Sequence, residues 1–418
     1  MTFRGAAIAA TALALLALAS VTADAQSMTS ETISFAGGRV TLGGDVSATF
    51  SCTDSEISTS SVCPDDTGFF NYTDYEHSAL RMVRIDLAAS VRASRRLSFL
   101  VEVRTEDGDR LQPYALYARI RPWISKPIDF QVGRVPPTFG AFMRSTYAAD
   151  NLLIGYPLAY QYLMSIRADA LPANADELIR MRGRGWLSNF SVGNTSPDRG
   201  LPLANAFRWD TGVQVHATSR TVEATLAVTT GSLGNPLVHD DNPGKQIATR
   251  VVVRPLPGLV VGASGAIAPF VTRGAADSAG ASDSISSLTQ AALGIDAEYS
   301  RDYYLVRMET IVSDWRVPLV RTPAIDLPLR ASTFLIEGRY KIRPGLYAAA
   351  RFDHIGFSNI AGTARTTSWE APVDRVEVGG GYSLLRNLMF KGSYQRDTRP
   401  AGRTQKLNAV ATQVVFWF

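Results

Sequence analysis

Long apolar runs, clustered histidines and lysine are what this 418-residue chain has least of. No stretch beyond the amino terminus offers about 18 uninterrupted apolar residues, which excludes a helical inner-membrane protein. The four histidines, His77, His216, His239 and His354, are dispersed, so no metal-ligand spacing forms. No phosphate-cradling glycine loop and no dinucleotide fingerprint follows a strand-like segment, and no Ser, His and acid motif marks a nucleophile. The chain is therefore expected to work without metal, cofactor, nucleic acid or enzymatic chemistry. Lysine stands only at 126, 245, 341, 391 and 406, so nearly all the positive charge behind a net +4 is arginine.

Cysteine is almost absent too. Cys52 and Cys63 are the two present; they bracket a short polar loop, and in an oxidising compartment such a pair is expected to form a disulfide. The amino terminus points to that compartment. Arg4 precedes an apolar run from Ala6 to Ala19, and Ala23-Asp24-Ala25 before Gln26 has the small-x-small pattern of a signal-peptide cleavage site. Residues 1–25 read as a signal peptide, 26–38 as a periplasmic segment and 39–418 as the folded body.

What is present in quantity is alternation. From Arg39 onward, Val40, Leu42, Val46, Ala48 and Phe50 interleave with Thr41, Asp45, Ser47 and Thr49, the period of a strand with one apolar and one polar face. The pattern recurs with Ile85 and Leu87 against Arg84 and Asp86, with Phe99 and Val101 against Glu102 and Arg104, and with Leu116 and Ala118 against Arg119 and Arg121. Towards the carboxyl end, Arg307, Glu309, Glu337, Arg339, Arg351 and Asp353 occupy the polar sides of their strands. A mean hydropathy near zero is what lipid-facing and water-facing side chains in alternation produce. Tight turns, such as 93–96, 218–220 and 385–387, alternate with long polar loops, such as 231–245, 272–287 and 357–372, which is the asymmetry of an up-and-down barrel.

The charge pairs two residues apart, Glu102 with Arg104, Arg307 with Glu309, Glu337 with Arg339 and Arg351 with Asp353, allow two readings. They could set up a transverse field that orients a solute, or a salt-bridge ladder that braces the wall, and neighbouring strand charges pair readily.

The final twelve residues, Leu407 to Phe418, are apolar on alternate positions, Val410, Val414, Phe416 and Phe418. A soluble protein ending this way would leave an unpaired hydrophobic edge, and a closed barrel has none. This ending resembles the terminal strand of bacterial outer-membrane β-barrels, and Val414, Phe416 and Phe418 match its assembly signal. Between strands near 128–135 and 208–217 lie some seventy residues that break the pattern, with G-R-V-P-P-T-F-G-A-F-M-R at 133–144 and R-M-R-G-R-G-W-L at 180–187. Irregular backbone cannot face lipid, so 136–205 should fold into the lumen or across the mouth.

With V-G-R-x-P-P-x-F-G after an early strand, the whole mature chain resembles a bacterial outer-membrane porin of the general or phosphate-selective type. The resemblance implies a transmembrane antiparallel barrel of sixteen strands, or eighteen if 136–205 adds a pair, in the outer membrane of a Gram-negative bacterium. It implies passive diffusion of small hydrophilic solutes, contact with outer-membrane lipid and the barrel-assembly machinery, and a homotrimer as in porins of this size; the arginine-rich charge adds the expectation of a weak anion preference. Arg134, Phe139 and Arg144, with Arg180, Arg182 and Arg184, would form the constriction. The alternatives are a non-conducting barrel serving as sheath, receptor or adhesin, and, further off, a barrel lipase.

Overall fold

The computed structural model describes residues 33–55, 72–74, 77–78, 83–106, 111–142, 146–185, 187–206, 209–241, 244–318, 320–402 and 405–418. The signal peptide, Cys63 and Arg144 lie outside the described residues.

Sixteen antiparallel strands form the wall. They are β1 (Val40–Ser55), β2 (Val83–Arg92), β3 (Leu97–Glu106), β4 (Gln112–Ile120), β5 (Ile128–Val135) and β6 (Asp210–Thr218). Then come β7 (Val222–Thr229), β8 (Gln246–Leu256), β9 (Leu259–Pro269), β10 (Thr289–Arg301) and β11 (Tyr304–Trp315). The wall finishes with β12 (Leu329–Arg343), β13 (Leu346–Phe357), β14 (Val373–Leu385), β15 (Leu388–Thr398) and β16 (Lys406–Trp417). The sheet holds seventeen strands in all, because the short strand Ile33–Phe35 adds itself beside Val40–Leu42 of β1. The segment 136–205 contributes no wall strand, since β5 pairs directly with β6 from Val135↔Asp210 to Ile128↔Ala217. Eighteen is thereby excluded, because those seventy residues leave the wall and return to it at the same place.

The barrel closes where β16 meets β1, from Asp45↔Trp417 to Ser55↔Leu407. Closure pairs the backbone groups that hydrocarbon could not satisfy. Outside, Leu293 is 72% exposed and Ile295 67%, as on the apolar outer band of a membrane barrel. Inside, Asp45, Arg84, Asp86, Glu102 and Arg104 are buried, as the alternation requires.

Phe418 ends the chain on two backbone hydrogen bonds, Phe418 N–H to the Gly44 carbonyl and Gly44 N–H to the Phe418 carbonyl, both 3.1 Å. Two such bonds contribute about 1 kcal/mol each, little against a complete barrel. Deleting Phe418 should therefore cut the yield of heat-modifiable barrel strongly, yet leave the denaturant midpoint of the barrels that do form nearly unchanged. Equal yields from both chains would remove its role as an assembly signal.

Candidate functional site

The segment that leaves β5 turns inward because its local sequence forces it to. Pro136 and Pro137 cannot continue a hydrogen-bonded ladder, and Gly140 takes a left-handed φ of +83°, open to glycine at no steric cost. Phe139 is buried with its ring against Gly294 of β10. From Thr146 to Ala168 every residue but the half-buried Tyr147 and Ala149 and the exposed Asp150 is buried. Side chains from this stretch, including Leu158, Tyr160, Leu163 and Met164, join inward wall residues such as Ile311, Trp315 and Ala331 in one apolar cluster. Farther along, the helix α1 (Ala175–Arg180), capped by the Asn174 side chain on the Glu177 N–H, lies among the long loops, where Asp176 accepts from the Thr363 N–H at 2.8 Å.

Irregular backbone inside a closed barrel still needs partners for its N–H and C=O groups. The wall supplies them with charged side chains, sorted by sign. Carboxylates accept the donors: Glu309 takes the Ala141 N–H (2.7 Å) and the Tyr160 hydroxyl (2.8 Å), and Glu377 takes the N–H groups of Ile154 (3.2 Å) and Gly155 (2.9 Å). Asp353 accepts the Leu158 N–H, Asp45 the Ala148 N–H at 3.1 Å, and Glu102 the Tyr147 hydroxyl at 2.9 Å. Cations donate to carbonyls: Arg351 to Gly155 (2.7 Å), Arg375 to Tyr156 (2.7 Å), and Lys391 to both Ala148 and Asn151. The fit around Gly155 is close, for a Cβ there would stand 2.7 Å from a Glu377 carboxylate oxygen.

The wall neutralises two of these cations and others beside them. Arg351 pairs with Glu337 at 2.8 Å and Glu377 at 3.3 Å, Arg375 with Asp397 at 2.6 Å, and Asp86 accepts from both Arg84, at 2.9 Å, and Arg104. The pairing runs mainly between strands, as in a bracing ladder. On the loop side, Glu370 receives the N–H groups of Ser165 (2.9 Å) and Gly183. Burial pushes its carboxyl pKa up against those bonds. Burial and the adjacent Glu309 likewise hold the Tyr160 hydroxyl well above its ordinary pKa, and so as a donor.

The expected constriction residues separate. Arg134 is opposite Leu116 and Thr211 in the ladder, on the outward face, and its guanidinium donates to the carbonyls of Trp209 (2.9 Å) and Pro113. It braces the wall and does not line the pore; the period-two parity of β5, with Asp129 and Gln131 inward, already dictates this. Arg180 is exposed on α1 at 3.5 Å from Glu177, Arg182 donates to the Ser368 hydroxyl at 2.9 Å, and Arg184 is exposed. These three belong to the cap among the long loops. Phe139 alone of the described constriction set reaches the lumen.

Of the expected lumen charges, Arg84, Glu102, Arg104, Glu309, Glu337, Arg351 and Asp353 are buried in the network. Arg119, Arg307 and Arg339 are half-buried nearer the short turns, and Arg121 is exposed on one of them. Sequence reasoning missed Arg375, Glu377, Asp397 and Glu370. The first three sit on alternate positions of V-D-R-V-E-V and Q-R-D-T, a signal the same parity rule would have read; Glu370, on a loop, carries none.

At the short-turn end the lumen opens into a recess of about 300 Å³ lined by Asp45, Asp86, Glu102, Tyr147, Trp417 and Phe418, among others. Half-buried inward side chains there, Glu298, Arg307 and Arg339, contrast with the full burial deeper in.

No protein-family model matches the chain, and no curated protein matches it in sequence. Solved structures do match in fold. OmpT, an outer-membrane protein of Vibrio cholerae, aligns with a TM-score of 0.55 at 10% identity over 93% of this chain and 100% of that one, and a trimer form of it is also similar. An anion-selective porin from Comamonas acidovorans aligns with a TM-score of 0.55 at 10% identity, over 91% and 99%. The outer-membrane channel DcaP of Acinetobacter baumannii gives 0.52 at 10% identity, over 92% and 99%. The fold is that of the bacterial outer-membrane porins.

Proposed function

We propose that this porin-fold barrel is an outer-membrane diffusion channel for small hydrophilic solutes, narrowed almost to closure by residues 136–205. The observation that carries the reading is the charged network between wall and inserted segment. A barrel that only needed sealing could be packed with apolar side chains, which is often as stable as buried ion pairs or more so. A polar lumen suits hydrated solutes. Export by residues 1–25, insertion by the assembly machinery, a homotrimer after the trimeric neighbour, and a bond between Cys52 and Cys63 complete the proposal. Titration of the unfolded, unreduced protein finding two thiols per chain would remove the bond.

Anion preference follows weakly. Most lumen cations are paired, Arg307 among them with Glu298 at 2.6 Å and Glu337 at 3.4 Å, so the net positive field comes from the half-buried Arg339 at the short-turn mouth, and it is screened over about 10 Å at 0.1 M salt. Reversal potentials across a KCl gradient should show slight anion selectivity that fades as salt rises. Arg339→Ala should lower the selectivity, and Arg134→Ala, on the outward face, should leave it unchanged. A cation-selective wild type would contradict this.

A second reading is favoured by the near-complete burial of Arg351, Arg375 and Lys391: a barrel that never conducts and acts as a sheath, receptor or adhesin. Channel recordings separate the two.

A further inference from the structure

The short-turn end of the barrel differs in charge from the long-loop end. Arg95 and Arg96 on the first short turn, Lys126 on the second, Arg301 on the fifth, Arg343 on the sixth and Arg386 on the seventh are all exposed. Against them the short turns expose one acid among the described residues, Asp302, 3.7 Å from Arg301. The long-loop end is mixed in sign: Asp240, Asp277, Asp283 and Asp326 are exposed there among Arg180, Arg184, Lys245, Arg273, Arg321 and Arg330.

A second feature repeats around the same rim. Exposed apolar side chains stand next to the cations, with Ile124 (62%) beside Lys126, Tyr303 (60%) beside Arg301, Ile342 (54%) beside Arg343 and Leu385 (63%) beside Arg386. Lys126 Nζ lies 5.5 Å from the Trp123 ring centre, and the Arg343 guanidinium 5.8 Å from that of Tyr382. A soluble acidic partner would require the cations but would leave these apolar tips in water. A headgroup layer accommodates both, with aromatic and aliphatic tips at the acyl boundary and guanidinium groups at the phosphates.

We propose that this rim is a binding surface for anionic phospholipid headgroups of the periplasmic leaflet. It rests on the outer-membrane reading above. Each of these five turns offers a cation at the membrane surface, where a lysine or arginine gains from an anionic leaflet, and arginine matches a phosphate with a planar fork of donors.

The test uses the full mature chain reconstituted in vesicles of phosphatidylcholine, with and without phosphatidylglycerol. Insertion is scored first, by heat-modifiable mobility and protease protection. Lipid retained after mild detergent extraction is then counted by mass spectrometry. Wild type should retain phosphatidylglycerol in excess of its share of the vesicle. The variant R95Q/R96Q/K126Q/R301Q/R343Q/R386Q should lose that excess by at least about fivefold, and raised salt should weaken it in wild type. Should that chain fail to assemble, R95Q/R96Q alone should still reduce the excess. Normal insertion with no excess, or an excess that survives the substitutions, would overturn the rim. Failure to insert into either vesicle would instead overturn the outer-membrane reading itself.

Discussion

Replacing residues 147–163 with a short Gly-Ser bridge should convert the protein into a wide pore. The wall does not depend on that segment for its own pairing, because β5 and β6 hydrogen-bond directly along eight residue pairs. Arg351, Arg375, Lys391 and Glu377 would lose partners from the segment and gain water, an acceptable exchange for charged groups in an open aqueous lumen. Sixteen-stranded barrels are wide enough to leave such a channel. Liposomes carrying the shortened chain should admit a disaccharide at least about tenfold faster than wild type, given that width. Heat-modifiable mobility should show that the barrel still forms. Equal swelling rates for two correctly assembled proteins would mean that the segment does not occlude the lumen.

Substituting Arg351 should give the largest single-residue loss of stability. Its guanidinium bonds Glu337, Glu377, the Gly155 carbonyl and the Asn151 side chain, and none of it reaches solvent. Arg351→Met keeps much of the volume but leaves two carboxylates buried with a cation removed, which costs about 3–5 kcal/mol in comparable broken pairs. Adding Glu377→Gln should recover part of that loss, since one orphaned charge goes with it. Denaturant unfolding of detergent-solubilised barrel measures both. A loss under about 1 kcal/mol would be the value of a solvent-exposed pair and would mean that water reaches Arg351.

Much of this architecture was legible in the residues because a barrel wall obeys one rule. Period-two alternation placed Arg84, Glu102, Arg351 and Asp353 inward without knowledge of any contact, and the same rule closes the chain on Phe416 and Phe418. The inserted segment had no such period. Its backbone is irregular, so nothing local in T-Y-A-A-D-N-L-L-I-G-Y says which wall carboxylate its N–H groups meet; those partners come from strands up to 223 residues away. Four of the five expected constriction arginines lie away from the lumen, for two reasons. Arg134 is close in sequence to the prolines of the inserted segment, but strand parity puts it outside, and Arg180, Arg182 and Arg184 lie on a piece whose height in the barrel depends on packing with the 358–372 loop. The strand total was open for the same cause, since only tertiary pairing shows that 136–205 returns to the point where it left.

Residues of the 136–205 segment occupy the lumen, and current through single wild-type molecules tests this most directly. In a planar bilayer at high KCl, the protein should give small openings well below those of its own shortened form, with long closed intervals. Large, stable, ohmic openings of the wild type, equal to those after removal of 147–163, would contradict the account.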